Sequence, residues 1–434
     1  MPPRLVMSQF GPLQQVDLEL KDIMIFLGPQ ATGKSTITKA VYFFKTIRDD
    51  LFRLLFEILK GNYDDDGKPI LTKFSKLIRD KFLEYWGASY NLTDFQLDFY
   101  YSSNSYILLK KEKNFIDPIY SDEIKTTIND LFSKIINYKE KYELPLRYKT
   151  SAELLKFDSD YNDFLLNIKK DIDSLFQDER DLIFIPAGRS LLSILSDQII
   201  VLESSKLDYL TKSFINRIQN IRNFFKDDLN RLLEIKSEYI DSDRNNTKIK
   251  QAIDIIKSII QGTFISDRKG DRIYFSPDKY IKLNYASSGQ QEALWIVLLI
   301  FLLILENKTV SIVIEEPEAH LYPESQKLIV DLIALLLNNN TDNQIFITTH
   351  TPYILSAMNN LLYAYQLGQK KYSDVDEIIS KEYWINPDRL GVFFVTNGTL
   401  TDIIDKETKL IETYWIDQAS ELVNSIFDEL FNLE

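Results

Sequence analysis

Eight residues, Gly28-Pro29-Gln30-Ala31-Thr32-Gly33-Lys34-Ser35, limit what this chain can fold into more than any other stretch. They match a phosphate-binding loop in full. The apolar run Ile23–Leu27 before them and the helical spacing of Ile37, Ala40, Val41, Phe44 and Ile47 after them give strand, loop and helix in the required order. In that order the amides of Gln30, Ala31, Thr32 and Gly33 and the helix N-terminus can cradle phosphates, with Gly28 making the turn. Lys34 can neutralise the β and γ oxygens, the Ser35 hydroxyl can ligate Mg2+, and Thr36 can reach the α-phosphate. The bland alternative is a strand-helix turn that matches by chance. ATP and Mg2+ are the expected ligands.

A second apolar run, 311–314, ends in Glu315 and Glu316, followed by Pro317-Glu318-Ala319-His320. Adjacent strand residues point to opposite faces, so the two carboxylates can divide the work. Glu315 is placed to hold Mg2+ through water, and Glu316, where the strand breaks up, to orient and deprotonate an attacking water. Taken alone, such a pair reads as a solvated strand end; the upstream loop reverses that preference. Tyr285-Ala286-Ser287-Ser288-Gly289-Gln290-Gln291-Glu292 opens a helix with small residues. It makes either an anion-binding helix N-terminus or an ordinary serine cap with a capping-box glutamate. The chain has 2 histidines, His320 and His350, each after an expected core strand. A neutral imidazole at His350 can bond a γ-phosphate or the attacking water, whereas His320 is as readily structural. Two histidines without cysteine make no convincing zinc site.

Along the chain, strands are predicted at 4–10, 16–20 and 23–27, a helix over 35–59, and strands around 94–111. Residues 121–261 are mostly charged and helical, interrupted by an apolar strand at 182–186 that ends in IPAGRS. The segments 206–239 and 248–261 lack sustained heptads, which predicts a compact helical arm and no extended coiled coil. A hairpin over 263–276 precedes α/β alternation: a helix from Ser288, a strand at 310–314, a helix from Pro323, a strand at 344–348, a helix from Tyr353 and a final amphipathic helix at 417–431. The expected parts are therefore 1–120, a lobe with the phosphate loop and a β-rich flank; 121–262, the helical arm; and 263–434, a second lobe.

Composition removes several function classes. With 0 cysteines there is no disulfide, thiolate metal site or thiol nucleophile, and a reducing cytoplasm is the default location. The N-terminal segment lacks the apolar core of a signal peptide, and the run 293–305 is shorter than the roughly 20 residues that span a bilayer, so it is expected to be a buried helix. No membrane association is expected. A net charge of −13 disfavours indiscriminate attraction to nucleic acid, although a local patch such as Lys110, Lys111 and Lys113 leaves DNA open.

GPQATGKST, YASSGQQE, IVIEEPEAHLYP and IFITTHTPYIL, in this order, resemble the ABC-type ATPases of the overcoming-lysogenization-defect and RecF/SMC-like group. The resemblance covers both lobes and implies an α/β fold, a P-loop ABC-type ATPase head with a helical insertion between phosphate loop and signature motif. It implies a homodimer, or a higher homo-oligomer, of heads paired head to tail. Ser287, Ser288 and Gly289 would then act on ATP held by the other copy, His320 would lie in the loop that crosses the dimer interface, and His350 would be the switch histidine. Two departures bear on hydrolysis rate: Glu315 stands where transporter-like relatives usually carry aspartate, and Ser288 where glycine is common. Gln96 is a candidate for the Q-loop glutamine. Arg189 in IPAGRS either approaches the phosphates or the dimer interface, or is a surface arginine at a helix start.

Nucleases of the overcoming-lysogenization-defect group carry a Toprim domain, which needs a glutamate and a DxD pair at strand ends. Only Asp374-Val375-Asp376 offers that spacing, in a polar stretch, so no intrinsic nuclease is expected. The chain thus resembles the stand-alone ATPase subunits of two-component phage-defence systems such as Septu or PARIS. The implied function is ATP-dependent dimerisation that holds, senses or releases a separate effector nuclease. The alternative is a DNA-repair or chromosome-maintenance ATPase of the RecF/SMC type that clamps DNA. A transport motor is disfavoured by the long insertion and the lack of a membrane segment.

Overall fold

The computed structural model describes residues 2–62, 67–87, 92–113, 115–142, 151–194, 207–226, 229, 243–412, 414–415, 424–425 and 428–432. In chain order the strands are β1 (Arg4–Phe10), β2 (Leu13–Glu19), β3 (Ile23–Leu27), β4 (Phe95–Tyr100), β5 (Tyr106–Glu112), β6 (Phe115–Tyr120), β7 (Asp181–Ile185), β8 (Thr263–Asp267), β9 (Gly270–Ser276), β10 (Lys279–Lys282), β11 (Val310–Glu315), β12 (Gln344–Thr349), β13 (Leu390–Thr396) and β14 (Thr399–Asp402). The helices are α1 (Lys34–Leu59), α2 (Ile70–Trp86), α3 (Asp122–Tyr142), α4 (Ser151–Phe176), α5 (Arg189–Ile194), α6 (Tyr209–Phe224), α7 (Asp243–Ile260), α8 (Ser288–Leu305), α9 (Pro323–Asn339), α10 (Pro352–Gly368) and α11 (Tyr372–Ile378). The fold is α/β. The amphipathic helix expected over 417–431 lies largely outside the described residues, as does much of the segment 206–239.

Compactness divides the chain into two units. The first is Met1–Leu20, Lys39–Leu182 and Asn397–Thr399; the second is Lys21–Thr38, Ile183–Thr396 and Leu400–Glu434. These are not the linear boundaries expected at 120 and 262. The reason is strand pairing: β3, which leads into the phosphate loop, pairs in parallel with β12 and β13 from the far end of the chain. The stretch expected to form one helical arm is split, α3 and α4 falling in the first unit and α6 and α7 in the second.

In the first unit an antiparallel sheet runs in the order β2-β1-β4-β5-β6. Burial alternates along β5 and β6, so the sheet has one covered face. The face of α2 formed by Ile70, Phe74, Ile78 and Phe82 is buried, and Phe82 stacks on Phe95 with ring centroids 5.3 Å apart. This core also encloses charge. The Lys81 ammonium is paired with Asp50 and donates to Thr46 Oγ1 at 2.6 Å, and Lys45 is paired with Asp178. Burial pushes both lysines below their ordinary pKa, and Lys45 and Arg180 hold the Asp178 carboxyl down at about 2 against the opposing effect of its own burial.

The second unit is built on a six-stranded sheet, β14-β13-β3-β12-β11-β7, whose central strands are parallel. β3, β11 and β12 are buried along their whole length, which is why their sequences are continuous apolar runs without alternation. The apolar helix α8 is buried from Gln291 to Leu305. It is long and apolar enough to cross a membrane, yet it is the core helix of this unit. Asn343, fully buried, accepts from Val310 N at 2.8 Å and donates to Leu336 O at 2.7 Å, tying β11 to α9 at the start of the parallel sheet.

The first unit's buried pair is testable. Asp50→Ala removes the direct ion-pair partner of the buried Lys81 ammonium, so it is expected to cost about 3–5 kcal/mol, whereas the apolar double replacement Asp50→Leu with Lys81→Met is expected to recover most of that. Urea midpoints of the two variants decide it; equal losses would show that the packing of these side chains matters more than their charges.

Candidate functional site

Strand register assembles the site. Thr349 pairs with Leu27 and Glu315 with Thr348, so Gly28, Glu316 and His350 leave the sheet side by side at the carboxyl ends of parallel strands. This edge is where open α/β sheets bind ligands. His350 stands in the middle: Nδ1 is 3.1 Å from Gly28 O and Nε2 is 2.9 Å from Glu316 Oε1. Lys34 Nζ lies 3.3 Å from the same Nδ1 and donates to Gly28 O at 2.8 Å and Pro29 O at 2.7 Å.

The loop geometry accounts for its glycines. At Gly28 (φ +152°) a Cβ would sit 2.3 Å from Val395 O, which no side chain can relieve because the obstacle is backbone on the neighbouring strand. Gly33 has φ +106° and Ala31 φ +61°, so the chain turns through left-handed conformations before α1 begins at Lys34. Gln30 and Ala31 are exposed, Thr32 Oγ1 donates to Pro29 O at 3.0 Å, and Ser35 and Thr36 occupy the first turn of α1. Lys34 is only 5% exposed, and burial lowers its pKa to about 8 despite the opposing charges of Glu316 and Glu318.

The two adjacent carboxylates differ in surroundings. Glu315 is buried; its Oε2 accepts from Ala187 N at 3.2 Å and its Oε1 has no hydrogen-bond partner. Glu316 has φ +46° and a side chain 37% exposed, and its N–H closes the ladder on Thr348 O at 2.9 Å. Glu318 holds the next strand's exit, its Oε1 accepting from His350 N at 2.8 Å and Thr349 Oγ1 at 2.7 Å, and burial raises its pKa.

At the start of α8, Ser287 caps the helix. Gln290 N donates to its Oγ at 3.3 Å, and Ser287 N donates back to Gln290 Oε1 at 3.1 Å, so the box is closed by Gln290 and not by the expected glutamate. Ser287 and Ser288 are exposed. Gly289 passes so close to the His320 carbonyl that a Cβ would lie 2.8 Å from it, which fixes this turn against the exposed, left-handed His320 (φ +59°).

Glu292 stands two residues beyond the capping-box position and has another task. Its Oε2 and Oε1 accept from Arg189 N at 3.0 Å and Ser190 N at 2.9 Å. Arg189 does begin a helix, but it is fully buried, not a surface residue, and its guanidinium binds backbone carbonyls at the end of β11. Sequence patterning singled out Arg189 but favoured a surface position for it, and gave Glu292 and Glu318 no role of this kind; the only local signal for the two glutamates was a charged residue soon after a serine cap or an apolar strand. Gln96 lies on β4 in the first unit, where its Nε2 donates to Asp98 Oδ2 at 2.8 Å. Asp374 and Asp376 sit on α11, not at strand ends, and Asp376 Oδ1 accepts from Lys381 N at 2.6 Å.

These residues fit a nucleoside triphosphate with Mg2+. The loop leaves no room for a Cβ at Gly28, its lysine points back to the loop carbonyls, and a buried carboxylate oxygen of Glu315 lacks a partner. Among the described residues no group of three or more His, Cys, Asp or Glu side chains is arranged around a metal position. Mg2+ commonly takes only one or two protein ligands beside phosphate and water, so Ser35 and Glu315 suffice as a donor set.

Fold and site define a P-loop ATPase domain. The chain belongs to the AAA ATPase domain family, which matches residues 7–355. It is 25% identical over 352 residues to endonuclease GajA of Bacillus cereus (strain HuB5-5), an alignment that takes in 77% of this chain but only 42% of that protein. Solved structures with a similar course include an SMC head bound to the C-terminal winged-helix domain of ScpA (TM-score 0.40, 10% identity, 92% of this chain and 96% of that one). The SMC head domain of Thermotoga maritima is also similar (TM-score 0.36, 12% identity, 93% and 98%). TM-scores at this level carry no argument about function.

The depressed pKa of Lys34 predicts a proton linkage. Below about pH 8 the ammonium is already charged, so nucleotide binding moves no proton through it; above that pH a phosphate beside Nζ favours the charged form, and binding takes up a proton and weakens. Calorimetry in buffers of different ionisation heat should show uptake at about pH 9 and almost none at about pH 7. Equal uptake at both values would contradict the lowered pKa.

Proposed function

We propose that this chain is the ATP-hydrolysing subunit of an antiviral system, and that ATP-dependent pairing of two copies holds, senses or releases a separate effector nuclease. The observation that carries the catalytic part is the contact of His350 with both Glu316 and the phosphate-loop carbonyl of Gly28, with Lys34 beside it. Lys34 and the loop amides of Gln30, Ala31, Thr32 and Gly33 bind the phosphates, and Thr36 reaches the α-phosphate. Glu316, half-exposed at the sheet edge, orients and deprotonates water, and His350 steadies Glu316 from the other side. Ser35 and Glu315 would hold Mg2+, which when bound supplies Lewis-acid polarisation of the phosphoryl oxygens.

The dimer is supported by what α8 leaves open. Ser287 and Ser288 are exposed at the start of α8, exposed His320 lies in the loop packed against Gly289, and a helix N-terminus there favours an anion supplied from outside the chain. The antiviral role rests on the wording of the four motifs and on the similarity to a protein named as an endonuclease. A DNA clamp of the RecF/SMC type is the competing function, and the net charge of −13 weighs against it.

Lys34→Ala is expected to abolish ATP binding, because it removes phosphate charge compensation. Glu316→Gln is expected to keep binding within about threefold while turnover falls by about 100-fold or more, and to trap an ATP-bound dimer visible by light scattering. Wild-type turnover in Glu316→Gln would remove Glu316 as the base.

For the two-component role, the purified chain with ATP and Mg2+ or Mn2+ should leave DNA and RNA uncut, and protection of cells from phage should require the neighbouring gene. Protection by this chain alone, with nucleolysis lost on replacing Asp374 and Asp376, would overturn that role.

A further inference from the structure

Among the described residues of the second unit Arg189 is the largest charged side chain buried completely, and its side-chain hydrogen bonds go to backbone carbonyls, with Glu292 as its ion-pair partner. Its Nε donates to Glu292 O at 3.0 Å. Nη1 donates to Pro186 O at 2.8 Å and Glu315 O at 2.7 Å, and Nη2 to Glu316 O at 2.8 Å. One planar guanidinium therefore binds carbonyls from three separate places: the exit of β7, the first turns of α8 and the end of β11. Only a side chain with several donors in a fixed fork can do this, since lysine offers three donors around a single nitrogen. The charge is compensated by the Glu292 carboxylate, 3.3 Å from Nε and 2% exposed.

Two features make this more than core packing. Two of the carbonyls it holds belong to Glu315 and to Glu316, and the Glu316 side chain contacts His350. Glu316 is also in a left-handed conformation (φ +46°), which is unfavourable for a non-glycine residue and persists only where its surroundings fix it. On the other side, Glu292 lies three residues after Gly289, on the helix that begins with the exposed serines. A shift of that helix end is transmitted to the Glu316 backbone through one side chain.

We propose that Arg189, held by Glu292, is a positioning residue that fixes the Glu316 backbone and links it mechanically to the N-terminus of α8. Contact made by a partner copy at Ser287 and Ser288 then bears on the base through Glu292 and Arg189. The proposal rests on Glu316 being the base.

The test compares Arg189→Lys and Glu292→Gln with the wild-type chain under ATP saturation. Each variant should bind ATP with unchanged KM and lose turnover by about 10-fold or more, since a small misplacement of a reacting group is enough for that. Unchanged kcat in both variants overturns the proposal. So does a rise in KM parallel to the fall in kcat, which marks general damage, and so does loss of the cooperative thermal transition in both, which assigns the pair to folding. Glu316→Gln, run alongside, separates the two claims: full turnover in that variant removes the base itself, whatever Arg189 does.

Discussion

The register of four parallel strands is the constraint on which the rest depends. β11, β12, β3 and β13 are paired so that Thr348 faces Glu315 and Thr349 faces Leu27. Because the central strands are buried on both faces, apolar alternation cannot choose this register by itself. Shape does: Gly28 clears Val395 O only because it has no Cβ, and Asn343 satisfies the first amide of β11. A slip of one residue would put Leu27 or Pro29 where Gly28 must pass. The same pairing carries His350 to the phosphate loop, so packing and chemistry are selected together.

The second determinant is the buried charge around Arg189. Taking a guanidinium and a carboxylate out of water costs several kcal/mol for each ion unless nearly all their hydrogen-bonding capacity is used. Here it is: the carboxylate takes two backbone amides, and the guanidinium takes four carbonyls. Trp295, one turn further along α8, donates to Ser193 Oγ at 2.8 Å, and that hydroxyl donates to Gln291 O at 3.0 Å. The polar start of an otherwise apolar helix is thereby fully engaged, which explains why a run as hydrophobic as 291–305 begins with Gln and Glu.

How much of this was legible in the sequence follows from how local each cause is. The phosphate loop, the Glu315-Glu316 pair and the strands around them are set by neighbours within a few residues, and their elements were placed to within about three residues. The strands β1, β4 and β5 of the first unit were legible for the same reason, whereas β6 lies beyond the strands expected around 94–111. The two-unit division was not, because it depends on β3 joining strands from the opposite end of the chain. Arg189 looked like a surface residue because arginines at helix starts usually are. Its burial is decided by Glu292 and by carbonyls more than a hundred positions away, which no local pattern encodes. The capping box was half legible: a serine does cap the helix, but the residue three positions after Ser287 is Gln290, and Glu292 lies beyond the box.

The unlike fates of Glu315 and Glu316 show how backbone geometry gives two identical side chains two different environments. Strand alternation alone would place them on opposite faces, and at the centre of this sheet both faces are buried, so both carboxylates would carry a desolvation cost. The left-handed turn at Glu316 breaks that symmetry: it ends the strand at Glu315 and brings the second carboxylate out to 37% exposure beside His350. Glu315 remains inside with an unpartnered oxygen, a state that is tolerable where a cation completes it. A base needs access to water and a metal ligand needs a dry, fixed oxygen. On the proposed roles, one reversed dihedral beside one buried arginine would meet both needs in consecutive residues.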